Sequence, residues 1–163
     1  MKKYLIVLVL VLIIAGVGVV YWGLNKNKTE IVAPNLFTNL EGQYSFETPT
    51  IWKASVNKYN SKNSLFGPDA DSGSGLGGVE VFAGFSSIDN FLGSSEAQVT
   101  QKTEITLAGV TGVRAHYQSA PTRSGEQVVL FKDGNIYNIY LNSVGEQDFQ
   151  IFEQIVASFK FAN

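Results

Sequence analysis

The most hydrophobic part of the chain runs from Tyr4 to Leu24 and carries no charged residue. An α-helix rises about 1.5 Å per residue, so a stretch of this length is enough to cross a hydrocarbon core of about 30 Å. Two lysines precede it, and Tyr21 and Trp22 lie near its far end, where interfacial aromatic residues are typical. The pattern therefore predicts a transmembrane helix over residues 4–24.

A cleaved secretory signal is the alternative interpretation of this segment. The apolar region of such a signal usually spans about 7–15 residues and ends in a small-x-small site. Here the run is longer, and Gly18 is followed by Val, Val, Tyr and Trp. We therefore expect an uncleaved signal anchor over residues 1–24. The lysine bias across the span favours a single-pass protein of the cell membrane with its C-terminal domain extracytoplasmic.

A polar tether, residues 25–35, follows the anchor and leads into a domain over residues 36–163. Alternating and β-branched runs predict the strands of this domain, at 44–47, 79–85, 103–107, 110–117, 127–131 and 136–141. Ala108-Gly109 and Asp133-Gly134 join neighbouring runs and are typical of tight hairpin turns.

The last predicted hairpin is apolar on both faces, which indicates a central position covered on both sides. Two helices can supply the cover. The first follows a capping-box pattern at Ser86–Asp89, and the second follows one at Ser143–Glu146. The second helix carries an apolar stripe predicted to dock on the sheet: Phe149, Phe152, Ile155, Val156 and Phe159.

Two short motifs bracket the domain: Tyr44-Ser45-Phe46-x-x-Pro49-x-x-Trp52 and Ile155-Val156-x-Ser158-Phe159-x-Phe161. With the hairpin between them, the chain over residues 40–161 resembles the PsbP/Mog1-like superfamily, which includes small bacterial domains. The resemblance implies an α+β fold, an α/β/α sandwich around a central antiparallel sheet, here preceded by the transmembrane helix. Photosynthetic members assist photosystem II, Mog1 members bind a small GTPase, and neither is generally treated as an enzyme. The matching positions are core and turn positions, so no functional residue carries over.

Charge and rare residues exclude several classes of function. All fourteen acidic residues lie from Glu30 onward and outnumber the basic residues there, so the domain lacks the basic surface that nucleic-acid binding requires. The chain has no cysteine, which excludes thiolate metal sites and cysteine nucleophiles. Its single histidine excludes sites that need two imidazoles.

The glycine-rich tract Gly73–Gly78 satisfies the spacing GxGxxG, but a polar segment precedes it and a predicted strand follows it. A dinucleotide site instead needs a strand before the glycines and a helix after them. We therefore expect a flexible loop and no cofactor. Asp69, Asp71 and Glu80 partly match a calcium loop, although Gly73 and Ser74 stand where that loop needs a ligand at its fifth position and a glycine at its sixth. These three carboxylates are weak metal candidates.

The segment 60–78 is the longest stretch without a clear apolar pattern and is predicted to be a mobile loop. Loops longer than about 12–15 residues are usually functional or disordered. Leu65 and Phe66 are the candidate contacts in it for a protein partner, with ordering on binding.

The functional hypothesis that follows is a membrane-tethered, extracytoplasmic binding or assembly module without catalysis. One alternative is a hydrolase-type enzyme that uses His116, which the strand pattern places on the polar face beside Arg114. No GxSxG elbow accompanies it. The other alternative is a purely structural envelope protein, which would have no pocket and a large apolar surface patch.

The anchor gives the first testable prediction. The protein is expected to stay in the membrane fraction after a high-salt or alkaline wash, because residues 4–24 span the bilayer. Immunoblotting of the washed pellet and supernatant checks this. A soluble mature form that begins near Val19 would contradict the anchor.

Overall fold

The computed structural model describes residues 34–94, 98–120, 123–142 and 145–162. All of them belong to one compact unit, Ala33–Asn163. The predicted span 4–24, and all but the last two residues of the predicted tether 25–35, lie outside the described residues. Within the described ranges, no helix is both long and apolar enough to cross a bilayer.

A seven-stranded antiparallel sheet occupies the centre of the domain. Its strands in chain order are β3 (Lys53–Asn57), β4 (Asn60–Gly67), β5 (Gly77–Ala83), β6 (Gln98–Leu107), β7 (Val110–Ala120), β8 (Arg123–Lys132) and β9 (Asn135–Leu141). In space they lie in the order β3-β4-β5-β9-β8-β7-β6. A smaller three-stranded sheet has the order β1-β2-β10 and consists of β1 (Asn35–Asn39), β2 (Tyr44–Thr48) and β10 (Lys160–Phe161).

Both predicted hairpin turns are confirmed. Ala108-Gly109 joins β6 to β7, and Asp133-Gly134 joins β8 to β9. The φ angles of these residues are 50° and 76° in the first turn and 50° and 77° in the second. Positive φ at both central residues defines the type I′ turn, whose twist matches that of the strands it joins.

The β8–β9 hairpin is central, as its two apolar faces predict. Val128 and Leu130 belong to one hydrophobic cluster, while their neighbours Val129 and Phe131 belong to another on the opposite face. Most side chains on both faces are buried, which explains why the hairpin does not alternate between apolar and polar residues.

Two helices cover these faces: α1 (Ile88–Ser94) and α2 (Glu146–Ser158). The predicted stripe docks on the sheet. Phe152 and Ile155 of α2 are fully buried, and Phe159 just beyond it is nearly so. The small sheet packs into the same cluster, where the Tyr44 ring stacks on Phe159 at 5.7 Å between centroids. The α+β class is therefore confirmed, and the second sheet was not predicted.

The helix starts differ from the predicted capping boxes. The Ser87 hydroxyl accepts the Asn90 N–H at 3.1 Å, so the cap of α1 is one residue later than predicted. Gly145 is the N-cap of α2, so the box predicted at Ser143–Glu146 does not begin that helix; residues 143 and 144 lie outside the described residues.

The predicted loop over residues 60–78 is wrong for most of its length. Residues 60–67 form β4, which pairs with β3 and β5. The sequence did not predict this strand because polar side chains occupy positions in it that are usually apolar in a buried strand. The Tyr44 hydroxyl donates to Ser64 Oγ at 2.8 Å, and the Val81 N–H donates to Asn63 Oδ1 at 2.9 Å. These hydrogen bonds offset the cost of burying polar groups.

The glycines of the GxGxxG tract serve packing. Gly77 and Gly78 begin β5, and a Cβ on Gly77 would lie 2.2 Å from the Tyr140 carbonyl oxygen and 2.4 Å from the Phe66 ring. Glycine is required there because no side chain fits. The tract therefore leads into a strand, and the flexible loop predicted over it is wrong for Gly77 and Gly78.

Burial of the α2 stripe predicts a large stability effect. In a chain beginning at Asn35, Phe152→Ala is expected to lower the free energy of unfolding by about 3–5 kcal/mol, because it opens a cavity in the main cluster. Urea denaturation checks this. Gln150→Ala, on the exposed side of the same helix, serves as the control and should change stability by less than about 0.5 kcal/mol. Equal effects of the two substitutions would show that the helix is not docked.

Candidate functional site

The only histidine of the chain lies in a charged cluster on the sheet face that α2 covers. His116 and Arg114 project from β7, and the strand register places His116 directly opposite Glu126 of β8. His116 Nδ1 lies 3.1 Å from Glu126 Oε1. Arg114 Nε donates to Glu126 Oε2 at 2.9 Å, and Arg114 Nη2 donates to Glu153 of α2. Each oxygen of the Glu126 carboxylate therefore has its own partner.

This cluster is partly sheltered from water. The Glu126 side chain is only 13% exposed, whereas that of His116 is 38% exposed. The hydrogen bond to Glu153, assisted by that to Glu126, raises the pKa of the Arg114 guanidinium. The strand pattern placed His116 and Arg114 on one face, but sequence spacing alone did not show which acid pairs with them. Glu126 is brought to them only by the β7–β8 register.

A concavity of about 230 Å³ opens at this cluster and is lined by Gln101, Thr103, Arg114, His116 and Glu126. A carboxylate and the imidazole that it orients are two of the three members of a hydrolytic triad, and the third is a positioned nucleophile. Among the described residues of the lining, the one hydroxyl group belongs to Thr103, and there is no serine.

The three weak metal candidates do not come together. Asp71 pairs with Lys53 at 2.5 Å, which supplies its counter-charge. Glu80 lies on β5 opposite Asn138 of β9, away from the turn that holds the two aspartates. Within the described part of the chain, no group of three potential metal ligands is present. The partial calcium-loop pattern was therefore misleading, because Glu80 belongs to a strand.

Glu80 has an environment that the sequence pattern did not reveal. Burial raises the pKa of its carboxyl group, against a hydrogen bond from Asn138 that lowers it. The same face of the sheet carries Tyr117, whose pKa burial raises to about 12, and Tyr140, whose pKa burial also raises. Asn138 Oδ1 is buried without a hydrogen-bond partner among the described residues. These residues come from three strands, so only the sheet register assembles them.

A second, partly apolar cleft of about 320 Å³ lies between the β3–β4 hairpin and the 3-10 turn Ala70–Ser72. Leu65, Val56 and Tyr59 supply its large apolar side chains. The Ser55 hydroxyl donates to the Ala70 carbonyl at 2.5 Å, which holds the turn beside β3.

The two predicted partner contacts are neighbours on β4 and face opposite sides of the sheet. Phe66 is fully buried, with its ring centroid 6.0 Å from that of Trp52 and 5.8 Å from that of Phe46. Its predicted display to a partner is therefore wrong, because it is a core residue. Leu65 is half-buried and lines the cleft, so its contact with a partner stays a prediction.

Comparisons with known proteins define the fold. No family model matches the chain, and no curated protein matches its sequence. The solution structure of cyanobacterial PsbP (CyanoP) from Synechocystis sp. PCC 6803 is similar, with a TM-score of 0.52 and 13% sequence identity. The alignment covers 83% of this chain and 96% of that one. The chain therefore has a PsbP-like fold, as the sequence motifs indicated.

The raised pKa of Glu80 predicts a pH dependence of stability. In the unfolded chain the Glu80 carboxyl group has its ordinary pKa of 4.5, and in the folded chain its pKa is higher. As pH rises above 4.5, the unfolded chain therefore loses this proton first, and the free energy of unfolding decreases. Glu80→Gln removes that loss. Urea denaturation is expected to show that the stability of the variant, relative to the unmodified protein, increases from about pH 4 to about pH 7.

Glu104→Gln, an exposed substitution on β6, is the control for this prediction and should change stability by less than about 0.5 kcal/mol. A stability difference for Glu80→Gln that does not change with pH would contradict the assigned environment.

Proposed function

We propose that the protein is a membrane-tethered, extracytoplasmic binding or assembly module without a catalytic role. The observation that carries the proposal is the position of the Leu65 cleft relative to the histidine cluster. The cleft lies on β3 and β4 at one edge of the sheet, whereas His116 lies on β7 near the other edge. With strands about 4.8 Å apart, β4 and β7 are separated by roughly 19 Å.

That separation favours binding over catalysis. The Leu65 cleft is partly apolar and has no histidine in its lining, whereas the histidine concavity is smaller and lined by polar side chains. In the histidine cluster, Arg114 ties the sheet to α2 through Glu126 and Glu153. The cluster thus has a structural explanation, since it attaches α2 to the rim of the sheet.

The fold supports the same proposal. The resemblance to the PsbP/Mog1-like superfamily implies accessory proteins that act by binding other proteins, and the PsbP-like fold agrees with it. Fold does not determine function by itself, so the binding role rests on the cleft. The tether rests on the apolar, uncharged residues 4–24, which are expected to anchor the domain on the outer side of the cell membrane.

Capture of the partner tests the binding role. The tagged full-length protein is used as bait in solubilised, cross-linked membranes, and a co-purifying protein is quantified for matched variants. Leu65→Thr keeps a strand-compatible side chain but removes apolar contact, so capture is expected to fall about tenfold or more, as for an interface anchor. Ile51→Thr changes an exposed apolar residue outside the cleft lining and should leave capture unchanged.

Capture that persists in Leu65→Thr would remove the cleft from the proposal. Thermal unfolding of both variants establishes that neither result reflects loss of the fold.

A hydrolase-type enzyme is the second candidate, and the 3.1 Å contact between His116 and Glu126 favours it. Its nucleophile would have to be Thr103 or water. Hydrolysis of a model ester by the full-length protein, abolished by His116→Gln, would support the enzyme over the binding module. The third candidate, a purely structural envelope protein, fits less well. It is expected to have no pocket, whereas the described residues line two clefts.

A further inference from the structure

The most exposed large hydrophobic side chains of the described domain lie near its N-terminal end. They are Leu36 (69% exposed), Leu40 (81%), Ile51 (61%), Val56 (47%) and Tyr59 (85%). None of the described residues after Tyr59 belongs to this set. Single exposed apolar residues are common on protein surfaces, but their concentration in the part of the domain that follows the predicted anchor calls for an explanation.

Leu40 and Tyr59 lie in two turns that the structure joins. Leu40 belongs to the β1–β2 turn, residues 40–43, and Tyr59 to the β3–β4 turn, which leads into Ser61. Asn39 Nδ2 donates to the Ser61 carbonyl oxygen at 3.0 Å, and Ser61 Oγ donates to Glu41 Oε2. We call residues 40–43 and 58–62 together the two-turn corner.

Gly42 shows how closely the turns of this corner approach each other. A Cβ at that position would lie 2.5 Å from the Lys62 carbonyl oxygen, so the first turn rests directly on the backbone of β4. The two turns that carry Leu40 and Tyr59 are therefore packed directly against each other.

The two-turn corner is locally basic within an acidic domain. It contains Lys58 and Lys62, and neither forms an ion pair with any described residue. The Lys58 Nζ lies 4.8 Å from the centroid of the Tyr59 ring. Glu41 is the one acid within the corner, and it is hydrogen-bonded to Ser61. An anionic surface would attract this corner and repel the remainder of the domain.

The segment between the predicted span and the domain is short enough to keep this corner near the bilayer. The predicted span ends at Leu24, and Leu36 follows twelve residues later. Twelve residues span at most about 40 Å at full extension. From Leu36, β1 runs about 13 Å further to Leu40.

We propose that the two-turn corner rests on the surface of the anionic bilayer in which the protein is anchored. Leu40 and Tyr59 enter the headgroup region, where leucine and aromatic side chains are favoured, and Lys58 and Lys62 face the lipid phosphates. This inference rests on the proposed membrane tether. It adds an orientation: the domain lies against the bilayer by the two-turn corner. Lys58 and Tyr59 also line the Leu65 cleft, so that cleft opens beside the membrane surface, and the partner proposed for it binds there through Leu65.

Site-specific fluorescence tests the orientation, and the absence of cysteine in the chain allows unique labelling. The full-length protein is reconstituted in vesicles of phosphatidylcholine with about 30% phosphatidylglycerol, with and without a nitroxide lipid labelled near its headgroup. A fluorophore is attached to Leu40→Cys or Tyr59→Cys. Gln98→Cys, exposed at the start of the opposite edge strand β6, is the matched control.

The nitroxide lipid is expected to quench the labels at positions 40 and 59 at least about twofold more than the label at 98. Lys58→Gln combined with Lys62→Gln should reduce that difference, as should vesicles without phosphatidylglycerol, because the charge attraction is lost.

Three results would overturn the proposal, and they are distinguishable. Equal quenching at positions 40, 59 and 98, in protein that floats with the vesicles after an alkaline wash, rejects the corner but leaves the tether intact. Protein that does not float rejects the tether and the corner with it. If the emission at position 59 depends on the density of protein in the vesicles and not on the nitroxide lipid, the corner contacts a second copy of the chain and not the bilayer.

Discussion

The structure depends on one constraint: both faces of the β8–β9 hairpin must be shielded from water. Val128 and Leu130 on one face, and Val129 on the other, are fully buried. A sheet with such a centre needs covering layers on both sides. On one side α2 and the small sheet supply the cover, and on the other α1 supplies part of it. The PsbP-like fold is a solution to this requirement.

The local parts of the fold were predictable, while the parts that depend on distant pairing were not. The type I′ turns at Ala108-Gly109 and Asp133-Gly134 follow from residues next to each other, so the two hairpins could be read directly. The strand β4 could not, because Asn63 and Ser64 are buried through hydrogen bonds to Val81 and Tyr44, far along the chain. Polar residues that are satisfied in a core look like a loop in the sequence.

The candidate sites show the same division. The strand pattern placed His116 and Arg114 on one face correctly, yet Glu126 became their partner only through the register of β7 and β8. Leu65 and Phe66 were singled out as large apolar residues in a polar segment. Adjacent strand positions face opposite sides, so one lines a surface cleft and the other belongs to the core. The sequence spacing of Asp69, Asp71 and Glu80 carried no comparable information.

The pairing of β10 with β2 has a consequence for how the domain forms during synthesis. Lys160 lies opposite Ser45, and the Ala162 N–H donates to the Gln43 carbonyl oxygen at 2.9 Å. The small sheet therefore joins the first and the last segments of the domain. A ribosome releases β1 and β2 long before β10, so this sheet closes only after all the strands of the central sheet have been synthesised.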